Sequence, residues 1–162
     1  VYVPESQSLH YEIVIDINGQ VNNISDMGFG FSQILPIITM LWFETESKRA
    51  PSRYRRTNGI PLTFVIEQPE LHLHPQFQAT LAKVFASIAH RASSRFGTQI
   101  IFETHSKTMI DAIGDYIEEN DCAELANIYI FEKEKDTTIV SKSGFDSDGD
   151  LVNWPLGFFS GR

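Results

Sequence analysis

Residues 64–75 read Phe-Val-Ile-Glu-Gln-Pro-Glu-Leu-His-Leu-His-Pro, an apolar run that ends abruptly in acid, amide and imidazole. Phe64, Val65 and Ile66 are read as the core of a buried strand, and Glu67 as the first carboxylate at its C-terminal edge, where open α/β sheets place their ligands. Pro69 has no N–H to give a neighbouring strand and stops the ladder there. A carboxylate beside such a forced turn suits a Mg²⁺–nucleotide site. Gln68 is the oddity, an uncharged amide where a general base is expected.

The segments on either side set the order of elements. Upstream, Tyr11–Ile17 alternates with period two, Asn18-Gly19 is a hairpin turn, and Gln20–Ile24 returns. The glycine-rich stretch Asp26-Met27-Gly28-Phe29-Gly30-Phe31-Ser32-Gln33 then opens a helix to about Glu46. Ile34, Leu35, Ile37, Ile38, Leu41 and Trp42 give it helical spacing, with Pro36 expected in the first turn. Downstream, Leu62–Glu67 is a strand, Gln68–His74 a turn, and Pro75–Ser93 a helix with Phe77, Leu81, Val84, Phe85 and Ile88 on one face.

Thr98–Glu103 is a second buried strand that again ends in a carboxylate. Ser106 is placed to cap a helix over Lys107–Glu118. Asn127–Phe131 and Thr137–Val140 read as a terminal antiparallel pair, followed by a tail over Ser143–Arg162. Strand–helix–strand–helix order predicts an α/β fold with a largely parallel sheet flanked by helices and a small antiparallel element at the C-terminal end.

The 162 residues are enough for one domain with a real core, and 42% hydrophobic with 21% charged residues is the composition of an ordinary globular protein. No apolar run is long enough to span a bilayer, and the start carries no signal-peptide pattern. The single cysteine, Cys122, cannot form an internal disulfide, so a reducing cytoplasm is the expected location. A net charge of −8 argues against a chain coated in nucleic acid. A local basic patch exists nonetheless: Lys48, Arg49, Arg53, Arg55 and Arg56 hold five of the 13 basic residues. A solvated loop is the plainer reading of that run, and a phosphate-contacting loop for DNA or RNA the sharper one. Asp146, Asp148 and Asp150 have the one-apart spacing of a calcium loop but lack its glycine at the sixth position and glutamate at the twelfth. A solvated turn leading into Trp154-Pro155-Leu156 is the preferred reading.

Three pieces carry chemistry together. Gly28 and Gly30 open a helix whose N-terminus favours an anion. Glu67 follows an apolar strand, and His105 stands just past the next one, after Glu103-Thr104. Each alone has a plainer explanation: a tight turn, a polar strand end, a hydrogen-bonded surface histidine. In this order they resemble the C-terminal half of an ABC-type ATPase head, in the branch of RecF, SMC proteins and OLD-like ATPases. Glu-Gln-Pro-Glu-Leu-His-Leu-His-Pro and Glu-Thr-His-Ser look most like stand-alone AAA-type ATPases of bacteria and their defence systems. The resemblance covers roughly residues 11–160 and implies a P-loop NTPase-like fold.

By that resemblance Asp26–Gln33, with Gly28, Gly30, Ser32 and Gln33, is a divergent signature motif that engages the γ-phosphate of ATP held by an opposite subunit. Ser25 and Ser32 compete for the motif's serine. Glu67 looks like the Walker B carboxylate that holds Mg²⁺ through water, and His105 like the switch histidine that bonds the γ-phosphate and the attacking water. Leu71-His72-Leu73-His74 occupies the stretch that crosses the dimer interface, which places His74 near the nucleotide. A metal site at His72 and His74 is the alternative, discounted because no cysteine or third histidine lies nearby in sequence.

Two departures from the family pattern matter. Gln68 stands where most such heads carry the catalytic glutamate; an amide orients water but cannot take its proton, so slow turnover is expected, or turnover that depends on Glu70 or His105. No Gly-Lys pair occurs, so no P-loop cradles the phosphates. The expectation is a C-terminal lobe spanning 1–162, with the Walker A lobe lying before residue 1 and ATP hydrolysis beyond the reach of this segment alone. Three functions remain open at this stage. The first is an ATP-driven switch that dimerises head-to-head and controls an effector, with a defence role implied by resemblance only. The second is an ATP-bound scaffold subunit that does not cycle. The third is a nucleic-acid module that uses ATP as its clamp.

Overall fold

The computed structural model describes residues 12–46, 62–93 and 98–159. Lys48, Arg49, Arg53, Arg55 and Arg56, the Asn58-Gly59 turn, Tyr11 and the last three residues of the tail lie outside them. The described residues fall into two compact units, one of residues 12–46 with Leu71–Leu73 and one of the remainder.

In the first unit β1 (Val14–Ile17) and β2 (Gln20–Asn23) pair antiparallel with Ile17 opposite Gln20. Asn18 and Gly19 both take positive φ, 53° and 85°, the backbone that a two-residue turn needs to match strand twist. Asp16 Oδ1 accepts the Gly19 N–H at 2.8 Å and closes that turn. A 3₁₀ turn, Ile24–Asp26, is capped by the Asn23 side chain and leads into α1 (Phe29–Glu46).

Pro36 lies inside α1, about two turns beyond its start, rather than in the first turn. The helix begins at Phe29, earlier than the apolar spacing implied, so the Ser32 carbonyl lacks the N–H that residue 36 would normally donate. Of the six apolar residues at helical spacing, Leu41 is buried, while Ile38 and Trp42 are exposed.

The second unit is built on a β–α–β step. β3 (Thr63–Glu67) and β4 (Gln99–Glu103) run parallel and are joined through α2 (Pro75–Ser93), with Thr63 opposite Gln99 and Glu67 opposite Glu103. Side chains alternate across this pair. Phe64 and Ile66 are buried on one face, and Phe102 lies 5.3 Å from the Phe85 ring of α2. Among the described residues the other face is open, with Val65 70% exposed and Ile101 47%, so the expectation of buried strands holds for one face of the pair and not for Val65.

α2 buries Leu81, Ala82, Phe85 and Ile88, whereas Phe77 and Val84 are exposed. α3 (Lys107–Asn120) is N-capped by Ser106, whose side chain accepts the Met109 N–H, and ends at Asp121 in the left-handed region. Met109, Ile110, Ala112 and Ile117 form its buried face.

β5 (Ile128–Glu134), β6 (Thr137–Phe145) and β7 (Leu151–Val152) make a three-stranded antiparallel sheet, longer than the terminal pair expected. Ile110, Ile117, Cys122 and Phe145 form one core cluster, with Ile128, Leu151 and Trp154 packed against it. The class is α/β with a parallel component, which among the described residues is the β3–β4 pair; the other ladders are antiparallel.

Candidate functional site

The register of β3 and β4 decides the geometry. In a parallel ladder paired residues point to the same side, and neighbouring strands lie about 4.8 Å apart. Glu67 opposite Glu103 therefore puts two exposed carboxylates side by side at the C-terminal edge of the pair. Glu103 was visible as a strand-end acid, but its pairing with Glu67 comes only from the register.

Beyond Glu67 the ladder makes one more bond, from the Gln68 N–H to the Glu103 carbonyl at 3.0 Å, before Pro69 ends it. Gln68 has φ 42°, left-handed backbone that a non-glycine residue rarely adopts, and is half-buried. Such a conformation at a strand end recurs at functional turns.

His105 follows β4. Its imidazole is exposed, and Nε2 lies 3.7 Å from Glu103 Oε1, an ion pair only when the ring is protonated. The His105 N–H donates to Glu70 Oε1 at 2.8 Å. Glu70 is buried, and its Oε2 is buried without a hydrogen-bond partner. Gln78, from the first turn of α2, donates through Nε2 to the Glu70 carbonyl at 3.3 Å and accepts the Ser106 hydroxyl at 2.6 Å. Sequence reasoning passed over Gln78, because an amide on a helix carries no local signal of a bond to a loop 28 residues away.

His74 caps α2: its Nδ1 accepts the Gln76 N–H at 3.3 Å, and its carbonyl accepts the Phe77 and Gln78 N–H groups. One ring nitrogen is thus already used by the helix.

In the first unit, Gly28 has φ 89°, and among the described residues nothing lies within 4 Å of where a Cβ would stand. Gly30 has a different reason to be glycine: a Cβ there would stand 2.7 Å from the His72 carbonyl oxygen and 3.1 Å from Leu73 Cδ2. The His72 ring sits edge-on to Phe29 with centroids 4.9 Å apart. Ser32 is exposed in the first turn of α1, and the Gln33 amide oxygen is buried without a partner. The structure therefore gathers Glu67, Gln68, His105 and the unforeseen Glu103 at one strand edge, and places Gly28, Gly30, Ser32 and Gln33 at the start of α1 in the other unit.

Two carboxylates are hard oxygen donors that suit Mg²⁺, an ion that keeps several waters and takes one or two protein carboxylates beside phosphate oxygens. Glu67 and Glu103 fit that requirement. Among the described residues no group of three or more His, Cys, Asp or Glu side chains is disposed to hold a metal by protein ligands alone. The acidic turn is committed to its own backbone, since Asp146 Oδ1 accepts the N–H groups of Asp148 at 3.1 Å and Asp150 at 2.9 Å. That supports the solvated-turn reading. No helix among the described residues is long and apolar enough to cross a membrane.

A family model for the AAA ATPase domain matches residues 2–110, which takes in α1, the β3–α2–β4 step and the start of α3. No curated protein and no solved structure gives a significant match.

Proposed function

The chain belongs to the AAA ATPase domain family, and from that premise we propose that it is part of an ATP-driven switch of the ABC type, in which two heads close on ATP and control a bound effector. ATP binding and hydrolysis in general terms go with the family. The head-to-head dimer, the effector and a part in antiphage defence are the finer reading. One observation carries it: parallel pairing brings Glu67 and Glu103 to one strand edge, with His105 held just beyond.

In this reading Glu67, with Glu103 beside it, holds Mg²⁺, which when bound neutralises charge on the phosphate oxygens. His105 presents its imidazole to the γ-phosphate and the attacking water. Gln68 orients that water through its amide and cannot take up its proton. Gly28, Gly30, Ser32 and Gln33 offer backbone and side-chain donors to the nucleotide of the opposing head. His74 offers Nε2 for the same task, its Nδ1 being engaged with Gln76. Lys48, Arg49, Arg53, Arg55 and Arg56 are the proposed contact for nucleic acid, should the effector be one.

Gln68 also favours a second reading, a scaffold that binds ATP and does not cycle. ATP hydrolysis and oligomeric state, measured with and without ATP for the wild type, Gln68→Glu and His105→Ala, separate the two. ATP-dependent dimers with turnover that is lost in His105→Ala and raised in Gln68→Glu support the switch. Dimers without turnover in any variant support the scaffold. Absence of ATP-linked association in the intact protein overturns both.

A further inference from the structure

Glu70 is a buried carboxylate, and among the described side chains no other Asp or Glu is buried. Removing a carboxylate from water costs several kcal/mol unless hydrogen bonds replace its hydration. Glu70 has one strong replacement, the His105 N–H at 2.8 Å. A hydrogen bond of this length, made to a buried side chain, ties down the backbone at His105.

The next residue is held as well. The Ser106 hydroxyl donates to Gln78 Oε1 at 2.6 Å and accepts the Met109 N–H at 3.2 Å, while Gln78 Nε2 donates to the Glu70 carbonyl at 3.3 Å. Thr104 Oγ1 accepts the Ser106 N–H at 3.0 Å from the other side. Glu70, Gln78, Ser106 and His105 thus close a ring of hydrogen bonds between the turn after β3 and the loop after β4. Only the His105 imidazole is left exposed.

We propose that Glu70 is the positioning residue for His105 and not the proton acceptor of the reaction. A general base must present an oxygen to the reacting water. Glu70 Oε2 is enclosed without a partner, and Oε1 is taken by the His105 N–H. The carboxylate fixes where the imidazole starts from, and Gln78 fixes the same loop one residue later. A rigid backbone under an exposed side chain is the arrangement that precise placement of a reacting group requires.

The inference rests on the ATPase reading for its catalytic consequence, but the backbone clamp can be measured without turnover. Amide hydrogen exchange at residues 103–107 and the kcat and KM for ATP are to be measured in the intact protein for the wild type, Glu70→Ala, Glu70→Gln and Gln78→Ala. Glutamine keeps an oxygen that can accept the His105 N–H. Glu70→Ala is expected to lose protection at His105 and to lower kcat about tenfold or more with little change in KM. Glu70→Gln is expected to retain most of both, within about threefold.

Equal loss of kcat in Glu70→Ala and Glu70→Gln, with His105 protection kept in the latter, identifies a base and overturns the proposal. Wild-type protection at His105 in Glu70→Ala overturns it too. Should the wild type hydrolyse no ATP, the ATPase reading fails while the exchange data still decide the clamp. If Glu70→Ala does not fold, Gln78→Ala takes its place: weaker protection at 105–106 with kcat lowered and KM unmoved supports the ring, and unchanged protection overturns it.

Discussion

Gly114, in the middle of α3, and Gly149, in the turn before β7, lie backbone against backbone, so that a methyl group on either would collide with the other's carbonyl oxygen. Glycine inside a helix costs roughly 0.5–1 kcal/mol relative to alanine, and this contact is the structural reason for Gly114. The turn that carries Asp146, Asp148 and Asp150 is thereby docked on α3, with Gly149 at φ 75° and its N–H on the Asp146 carbonyl.

Replacing Gly114 with alanine should therefore destabilise the protein despite alanine's better helix propensity, by about 1–3 kcal/mol for an overpacked contact. Gly149→Ala should cost more, because it adds backbone strain at positive φ to the same collision. Thermal and urea melts check both. A Gly114→Ala variant as stable as the wild type would mean that the contact yields freely.

Gly30 is subject to a similar test in the first unit. A Cβ placed 2.7 Å from the His72 carbonyl must push backbone, not a flexible side-chain end. Gly30→Ala should cost about 1–3 kcal/mol, with the loss seen first in hydrogen exchange of residues 29–33 and 71–73. Unchanged exchange there would leave the signature-motif role as the sole reason for glycine at this position.

At the strand edge, Glu67→Gln should leave folding intact, because the side chain is exposed. Hydrolysis dependent on Mg²⁺ should fall by roughly a hundredfold or more, the scale on which removing charge stabilisation at a phosphoryl site acts. Glu103→Gln should weaken Mg²⁺ dependence less, since Glu103 is assigned the supporting place. Steady-state rates over a Mg²⁺ titration measure the two. Wild-type rates in Glu67→Gln would remove it from the metal site.

Local chemistry made much of this legible in the sequence. Asn18-Gly19 specified its turn, Ser106 its cap and Pro75 the start of α2, because each depends on backbone rules acting over a few residues. The strand ending at Glu67 was legible for the same reason. What was not legible depended on contacts between distant segments. The inward face of α2 lies over Leu81, Ala82, Phe85 and Ile88 and leaves Val84 out. Val65 reads as core from hydrophobicity, yet alternation puts it on the open face of the β3–β4 pair. The same holds at the site: Glu70 in sequence is a carboxylate on which turnover could depend, and only its bond to the His105 N–H, 35 residues away, points to positioning as its task.

Ser106 combines a cap with a link in the ring around His105, so its loss should be felt twice. Ser106→Ala removes the acceptor for the Met109 N–H and should cost about 1 kcal/mol of stability. It also removes the hydroxyl that donates to Gln78 Oε1 and should lower kcat more than the stability loss alone accounts for. Ser106→Thr keeps the hydroxyl and should restore most of both. A Ser106→Ala variant with lowered Tm but wild-type kcat would confine the residue to capping.

Cys122 offers a test by pH. Burial pushes its thiol above its ordinary value of 9.0, with the Glu124 and Asp121 carboxylates adding to the shift. The folded protein therefore keeps the thiol protonated where the unfolded chain begins to ionise it. Below that range both states carry the proton and the contribution to stability is fully present. As pH rises through 9.0 and on through the higher folded value, the unfolded state gains and that contribution is lost. Urea denaturation between neutral pH and about 10.5 should show a decline in the wild type that is weaker in Cys122→Ala, so that the two stabilities converge. Labelling by a thiol reagent near neutral pH should be slow in the native protein and fast in denaturant, because the attacking species is the thiolate and the native thiol is buried. Parallel stability curves with rapid native labelling would show an accessible thiolate and contradict the buried position at the end of α3.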